Sequence, residues 1–308
     1  MTPAPVVQVQ GLRKTYGEQV VVRDVSFSVQ PGEIFGILGP NGAGKTTTVE
    51  TLAGLRHADG GTVRVLGSDP QRDPSVVRST LGIQLQETSL PPRLKVIEAL
   101  RLYASFYPDP ADPEQLIDLL GLQQKRTTAF GKLSGGQKQR LSIALALIGN
   151  PQVAILDELT TGLDPQARRE TWNLIERVRD NGVTILLVTH FMDEAERLCD
   201  RLVVIDAGRV VAQGSPRELT RQQGSDRTIR LLLPPGSPTV DLLPLPAVRS
   251  VRQVQEELEV TGTTRVLPEV IGALAERDVI PEEVRTLTRS LEDVFVELVQ
   301  DREHQEVS

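Results

Sequence analysis

The sequence predicts an α/β protein with a second, smaller α+β domain at its C-terminal end. Over the first two-thirds of the chain, short apolar runs of strand length alternate with helical patterns, the arrangement that builds a sheet covered by helices. Beyond about residue 227 the pattern changes to several strands with two helices. The chain has 308 residues, of which 39% are hydrophobic, and this favours two cores rather than one.

The composition argues against several classes of protein. The net charge is −7, from 34 Lys+Arg against 41 Asp+Glu, and no long basic run is present, so we expect no nucleic-acid partner. Aromatic residues make up 3%, too few for a base-stacking platform. The single Cys199 excludes an intrachain disulfide framework and fits a small buried side chain. The N-terminal stretch lacks a signal-peptide pattern, and no apolar run approaches the ~18–20 residues of a membrane span, so we expect a soluble chain.

The first elements are predicted to be two antiparallel strands followed by a strand, a loop and a helix. The two strands are VVQVQGLRKTYG and VVRDVSFSVQPG, for which Pro31-Gly32 supplies the turn. The hydrophobic pattern then predicts a buried strand in EIFGIL, a helix in GKTTTVETLAGL and another strand in GTVRVLG.

The middle of the chain is predicted to contain a helical insert over about residues 87–150. KVIEALRLYASFY and PEQLIDLLGL have amphipathic helical patterns and are separated by the loop PDPADP. Core strands follow in VAILDE, VTILLVTH and RLVVIDAG, with the helix RRETWNLIERVRDNG between the first two. Trp172 shares a helical stripe with Ile175 and Val178, which favours a place in the core.

The polar, turn-rich stretch RQQGSDR predicts a linker at 221–227 between a domain of residues 1–220 and a domain of residues 228–308. In the second domain TIRLLL, VRSVRQV, ELEVTG and VRTLTR have the pattern of strands, whereas RVLPEVIGALAERD and SLEDVFVELVQ have that of helices. PPGSPTVDLLPLP is predicted to be an irregular loop.

The stretch GPNGAGKT, residues 39–46, matches the P-loop pattern between a predicted buried strand and a helix. Backbone amides of such a loop wrap the β-phosphate of a nucleotide, Lys45 meets the β- and γ-oxygens, and the Thr46 hydroxyl can bind Mg²⁺. The residues expected at ATP are Gly39, Pro40, Asn41, Gly42, Ala43, Gly44, Lys45, Thr46 and Thr47.

VAILDE ends a predicted strand with two acids. Asp157 can bind Mg²⁺ there, and Glu158 can orient the attacking water. Acids at a strand end are usually solvated loop residues, but after a P-loop they are the expected second half of a nucleotide triphosphatase.

A second candidate phosphate-binding device lies at residues 133–137, LSGGQ. Ser134 can cap the following helix, and the two glycines let backbone N–H groups approach an anion at its positive end. One nucleotide does not need two such devices, and this duplication requires an explanation.

At LSGGQ the sequence resembles the ATP-binding subunits of ABC transporters, in which this pentapeptide is the family signature. Further residues resemble family positions over residues 6–220: Tyr16 the aromatic that stacks on adenine, Gln86 the glutamine near Mg²⁺ and water, Asp164 the loop joining two ATP sites, and His190 the switch histidine at the γ-phosphate.

The resemblance implies a P-loop NTPase fold of the ABC ATPase type, with an antiparallel β subdomain and a helical insert. It also implies that the signature serves an ATP held by a second subunit, so that two chains enclose two ATP molecules head to tail. The residues implied to contact ATP in trans are Ser134, Gly135, Gly136, Gln137 and Asp164.

The terminal SLEDVFVELVQ and the stretch from VTHFMDEAERLCDRL onward resemble exporter ATPases of the daunorubicin-resistance kind. Many family members carry proline after the catalytic glutamate, whereas this chain has Leu159, which leaves the backbone freer there.

The implied function is ATP hydrolysis that drives export of a drug, an antibiotic or a lipid-like molecule through separate membrane permease subunits. The implied cofactors are ATP and Mg²⁺, the second ATP-binding subunit is expected to be an identical copy, and the chain is expected to be cytoplasmic on the inner face of the cell membrane. An importer ATPase, or a non-transport ABC ATPase acting as an interaction module, remains the alternative.

Overall fold

The protein is described by a computed structural model in which residues 4–84, 89–222, 227–238, 240–287 and 290–297 are placed. The chain divides into two compact units, Met1–Pro216 and Arg217–Ser308. No helix in the placed ranges is long and apolar enough to cross a membrane.

The first unit is built on a nine-stranded sheet. Its strands are β1 (Val7–Tyr16), β2 (Gln19–Val29), β3 (Ile34–Leu38), β4 (Gly60–Val65), β5 (Leu81–Gln84), β6 (Val153–Asp157), β7 (Thr184–Thr189), β8 (Arg201–Asp206) and β9 (Arg209–Gly214). Their order in the sheet is β4-β1-β2-β9-β8-β3-β7-β6-β5. The strands β8, β3, β7, β6 and β5 are parallel, whereas β1 pairs antiparallel with β2 and β4.

The helices of this unit are α1 (Lys45–Leu52), α2 (Pro74–Thr80), α3 (Val96–Ala104), α4 (Pro113–Leu119), α5 (Gly135–Leu147), α6 (Pro165–Asp180) and α7 (Met192–Leu198), and α8 (Pro216–Gln222) follows at the boundary. The predicted insert, residues 87–150, contains α3, α4 and α5. The central strands are buried along their whole length, because helices cover both faces of such a sheet. The α/β fold with an antiparallel subdomain and a helical insert is confirmed.

The hairpin prediction was wrong in one detail. The turn between β1 and β2 lies at Gly17 and Glu18, and Pro31-Gly32 turns the chain from β2 into β3. Gly17 has φ 59°, a left-handed value that a tight hairpin turn requires.

The second unit contains a four-stranded antiparallel sheet. Its strands are β10 (Arg227–Leu232), β11 (Val248–Val254), β12 (Glu257–Gly262) and β13 (Glu283–Leu287), in the order β11-β12-β10-β13, and α9 spans Val266–Ala275. Val266, Val270 and Leu274 of α9 pack into one buried cluster with strand residues such as Ile229 and Val260. A further helix covers 291–297, and the predicted irregular loop, apart from residue 239, contains neither helix nor strand. The α+β character predicted for the tail is therefore observed.

Candidate nucleotide-binding site

Three adjacent parallel strands, β3, β7 and β6, end at one edge of the sheet. The loop 39–44 follows β3, His190 follows β7, and Asp157 ends β6 with Glu158 next to it. Ligands of open α/β sheets bind outside the carboxyl ends of the strands, so this edge is where a nucleotide site is expected.

The loop 39–44 holds a conformation that only glycine permits at two points. Gly39 has φ 153°, and a Cβ there would lie 2.0 Å from the Ile205 carbonyl oxygen. Gly44 has φ 98°, and a Cβ there would lie 2.9 Å from the Val21 carbonyl oxygen. The loop backbone therefore lies tightly against β8 and β2, which fixes its shape before any phosphate arrives.

Lys45 is nearly buried at the start of α1. Its Nζ donates to the carbonyl oxygens of Gly39, at 2.7 Å, and Pro40, at 2.9 Å. Burial lowers the pKa of Lys45, while the negative charges of Glu158 and Asp157 oppose the shift. The ammonium group therefore lies within the loop that it is proposed to serve, close to both acids.

Asp157 is buried at the end of β6. Burial raises its pKa to about 6, with a further contribution from the charge of Glu158, whereas Lys45 acts in the opposite direction. Its backbone N–H donates to Oε1 of Gln84, at the end of β5, over 3.1 Å. A buried carboxylate at this edge of the sheet is a suitable ligand for a hard cation. The Gln84 contact was not predicted from sequence, because it joins strands separated by 73 residues.

Glu158 has φ 48°, a left-handed value that is uncommon for a residue with a side chain. Its backbone N–H donates to the Val188 carbonyl over 2.9 Å, and its Oε1 lies 3.1 Å from His190 Nδ1. Because a carboxylate only accepts, Nδ1 carries the hydrogen in this contact. Leu159 is fully buried, so packing holds the chain at the position where many relatives of this type have proline.

Tyr16 ends β1 and is 39% exposed. Lys14 Nζ lies 5.4 Å and Arg56 Cζ 5.8 Å from the centroid of its ring. A partly exposed ring of this kind can accept a stacked base. Thr46 is exposed at the start of α1, whereas Gln86 lies outside the described residues.

The signature residues form a second cluster. Ser134 Oγ accepts from Gln137 N, and Gln137 Oε1 accepts from Ser134 N, so the two side chains cap α5 reciprocally. Gly135, Gly136 and Asp164 line the same cavity of about 410 Å³ as these two residues. Asp164 Oδ1 also caps α6, accepting from the N–H groups of Gln166 and Ala167.

No residue of the P-loop lines this cavity. The structure therefore brings Lys45, Asp157, Glu158 and His190 together, and it brings the signature residues together with Asp164, as two separate groups within one chain.

Comparison with known proteins shows the family to which the chain belongs. Residues 22–161 match the family model for the ABC transporter. Nod factor export ATP-binding protein I of Ralstonia nicotianae is 40% identical over 313 aligned residues, covering 96% of this chain and 94% of that protein. The protein of the same name from Paraburkholderia xenovorans is 39% identical and covers 96% and 97%.

Solved structures resemble about 70% of this chain. An ATP-binding subunit of an ABC transporter is 31% identical, with a TM-score of 0.63 over 70% of this chain and 92% of that chain. The protein cbiO1 from Clostridium perfringens, part of the ABC transporter complex cbiONQ, is 27% identical, with a TM-score of 0.64 over 71% and 92%. The chain thus belongs to the ATP-binding subunits of ABC transporters, and it is an ATPase.

Proposed function

We propose that this chain is the ATP-hydrolysing subunit of an ABC exporter and that separate membrane permease subunits carry the transported molecule. The observation that carries the catalytic part is the Glu158–His190 contact beside the buried Lys45. The name of the relatives that match almost the whole chain, Nod factor export ATP-binding protein I, supports export.

The loop 39–44 and the first turn of α1 bind the phosphates through their N–H groups, and Lys45 neutralises the β- and γ-oxygens. Tyr16 stacks on the base. Phosphoryl transfer needs positioning and charge stabilisation more than covalent work, and the closely packed loop and Lys45 supply these.

Asp157 and the Thr46 hydroxyl would hold Mg²⁺, with Gln86 as a third contact. The buried carboxylate and the exposed hydroxyl fit this ion, because Mg²⁺ prefers oxygen ligands and shares its sphere with substrate phosphates. When bound, the ion neutralises charge that develops on the phosphate oxygens.

Glu158 accepts a hydrogen bond from the attacking water and orients it, and His190 contacts the γ-phosphate. The hydrogen bond between the two side chains fixes their relative position, and the left-handed backbone at Glu158 sets the direction of its carboxylate.

The functional unit contains two copies of the chain arranged head to tail. The separation of the P-loop group from the signature group supports this arrangement, because no P-loop residue of the same chain lines the signature cavity. Each ATP is then held by the P-loop of one copy and by Ser134, Gly135, Gly136, Gln137 and Asp164 of the other.

The transported molecule is a drug, an antibiotic or a lipid-like compound, and the chain works on the inner face of the cell membrane. The resemblance of the stretches VTHFMDEAERLCDRL and SLEDVFVELVQ to daunorubicin-resistance exporters, which is seen in the sequence alone, supports this part of the proposal. An importer ATPase is the second candidate; the full-length match to relatives named for export favours export over it.

The test is purification of the tagged chain from detergent-solubilised membranes, followed by identification of the co-purifying membrane protein and transport assays in inverted vesicles. ATP-dependent uptake into inverted vesicles indicates export. Uptake that requires an external binding protein in right-side-out vesicles would favour import, and absence from the membrane fraction would favour an interaction module.

A further inference from the structure

The loop that carries His190 is attached to α6 by contacts that the proposed chemistry does not use. The His190 and Phe191 rings lie with their centroids 4.1 Å apart, and the Phe191 N–H donates to Thr189 Oγ1 over 3.0 Å. Phe191 therefore supports the imidazole from the adjacent position in the chain.

Arg168 of α6 contacts this support in two ways. Its Cζ lies 4.8 Å from the centroid of the Phe191 ring, and its Nη1 donates to Asp193 Oδ2, at the start of α7, over 3.1 Å. A planar guanidinium can stack on a ring and pair with a carboxylate at the same time, which lysine cannot do equally well.

Arg168 lies in the first turn of α6, directly behind the loop that carries Asp164. Its backbone N–H donates to the Asp164 carbonyl over 2.9 Å, and Asp164 caps the same helix. A displacement of the Asp164 loop that tilts the start of α6 therefore also moves the Arg168 side chain.

Two further contacts join α6 to α7 at intervals of one helical turn. Trp172 Nε1 donates to the buried Glu194 over 3.0 Å, and Glu176 pairs with Arg197 at 2.7 Å. The sequence predicts Trp172 in the core, but the side chain is half-buried, and its indole N–H makes one of these contacts between α6 and α7. Residues 168, 172 and 176 thus lie on the face of α6 that meets α7, and the two helices are held as one body.

We propose that Arg168 is a positioning residue that links the Asp164 loop to His190. When a second copy presses on the Asp164 loop, Arg168 carries the displacement through Phe191 and Asp193 to the imidazole. This inference rests on the proposed roles of His190 and Asp164. It explains how the second copy, by binding at the ATP site that contains Asp164, can affect hydrolysis at the ATP site that contains His190.

The experiment compares Arg168→Met, Arg168→Lys and the control Arg169→Met in the full-length chain. Arg169 has the same charge on the same helix but is exposed. For each variant, kcat and KM for ATP hydrolysis, Kd for ATP and Tm are measured. Arg168→Met is expected to fold, because it also removes a buried Nε that has no hydrogen-bond partner among the described residues.

We expect Arg168→Met to lower kcat by roughly ten- to a hundredfold with an unchanged Kd for ATP, since small misplacements of a catalytic group reduce rate rather than binding. Arg168→Lys should fall between this variant and wild type, because it keeps the charge near Asp193 and loses the planar stack. Arg169→Met should behave as wild type.

A double variant separates positioning from general destabilisation. Arg168→Met combined with Phe191→Leu should lose no more kcat than the more damaging of the two single variants, since both act on one path to His190. Multiplicative losses, a fall in Tm that parallels the loss of kcat, or equal losses in Arg169→Met would overturn the inference.

His190→Ala and Glu158→Gln are measured in parallel. If these two are inactive and Arg168→Met turns over normally, the positioning role is wrong and the proposed function stands. If His190→Ala turns over normally, the proposed role of His190 is itself wrong. Should Arg168→Met fail to fold, Arg168→Lys decides: wild-type kcat in that variant would contradict the need for a stacked guanidinium.

Discussion

At the scale of the residue, Glu158 is held in the site both by its side chain and by its backbone. Its carboxylate lies near Lys45 and bonds to His190, while its backbone is tied to Val188 in a left-handed conformation. The carboxylate is therefore oriented by both its main chain and its neighbour, which is what a group that positions water requires.

Glu158→Gln is expected to reduce kcat by at least a hundredfold while leaving ATP binding nearly intact. The amide keeps the shape of the side chain but loses the charged acceptor that orients water. Hydrolysis is measured by phosphate release and binding by equilibrium titration. Lys45→Ala is the matched comparison and should weaken binding directly; wild-type turnover in Glu158→Gln would remove Glu158 from its role.

Gly39→Ala is expected to abolish nucleotide binding, because its Cβ would meet the Ile205 carbonyl oxygen at 2.0 Å. Gly67→Ala is the control: its φ of 81° is equally unusual, but nothing lies within 4 Å of its Cβ. The control should cost about 1–2 kcal/mol of stability, the usual cost of a side chain in left-handed backbone, and keep ATP binding. Titration of both variants with ATP, beside thermal unfolding, tests the pair, and normal binding by Gly39→Ala would contradict the tight seating of the loop.

At the scale of the element, the sequence predicted those units whose patterns are long or carry a motif. β3, α1, β6 and α6 lie within a few residues of their predicted bounds, and α5 begins directly after the predicted cap Ser134, because buried runs, glycines and caps mark these ends. The short elements α2, β5, α7 and β9 were missed, since four to seven residues give no clear period. The hairpin turn was misplaced because Pro31-Gly32 is the stronger local signal than Gly17.

The same limit applies to the site. A local pattern or a family resemblance predicts four parts of the site: the P-loop, the acids Asp157 and Glu158, the signature and His190. The Gln84–Asp157 bond, the left-handed Glu158 and the Arg168–Phe191 contact depend on packing between distant segments, which no local pattern records.

Gln137→Glu tests whether the cap of α5 and the signature can be separated. Glutamate at this position keeps the reciprocal cap with Ser134 and favours the positive helix end, so stability should be unchanged or rise by a few tenths of a kcal/mol. It also places a negative charge where a partner's γ-phosphate is proposed to lie, so kcat should fall severalfold. Ser134→Ala is the comparison and should lose about 1 kcal/mol of stability. If Gln137→Glu lost stability but kept its kcat, Gln137 would serve the helix cap and not the proposed contact with the partner's γ-phosphate.

At the scale of the whole molecule, the chain separates into two units with cores of their own. We expect deletion of residues 225–308 to leave a folded fragment that binds ATP, since the nucleotide residues all precede residue 217. Circular dichroism, thermal unfolding and ATP titration would follow the fragment beside the full chain, and transport should suffer more than affinity. A folded fragment that no longer binds ATP would contradict the independence of the first unit.

The divided site is tested by mixing two inactive variants. Gly136→Asp should block the signature and spare the P-loop of the same chain, whereas Lys45→Ala should do the reverse. A mixed dimer then has one site with both lesions and one site with none, so some hydrolysis should return. Each variant alone is the control. No ATP hydrolysis in mixtures shown to contain mixed dimers would argue against the shared site, provided that a control dimer with one intact site is active.

The left-handed backbone at Glu158 has a consequence for selection on this protein. A side chain held in that region costs about 1–3 kcal/mol, and Glu158 also adds its charge to that of the buried Asp157. Asparagine tolerates this conformation better and carries no charge, so Glu158→Asn should unfold at a higher temperature than the native chain while hydrolysing no ATP. Selection for thermostability alone would therefore remove the residue that turnover depends on, and natural selection keeps the chain less stable than it could be.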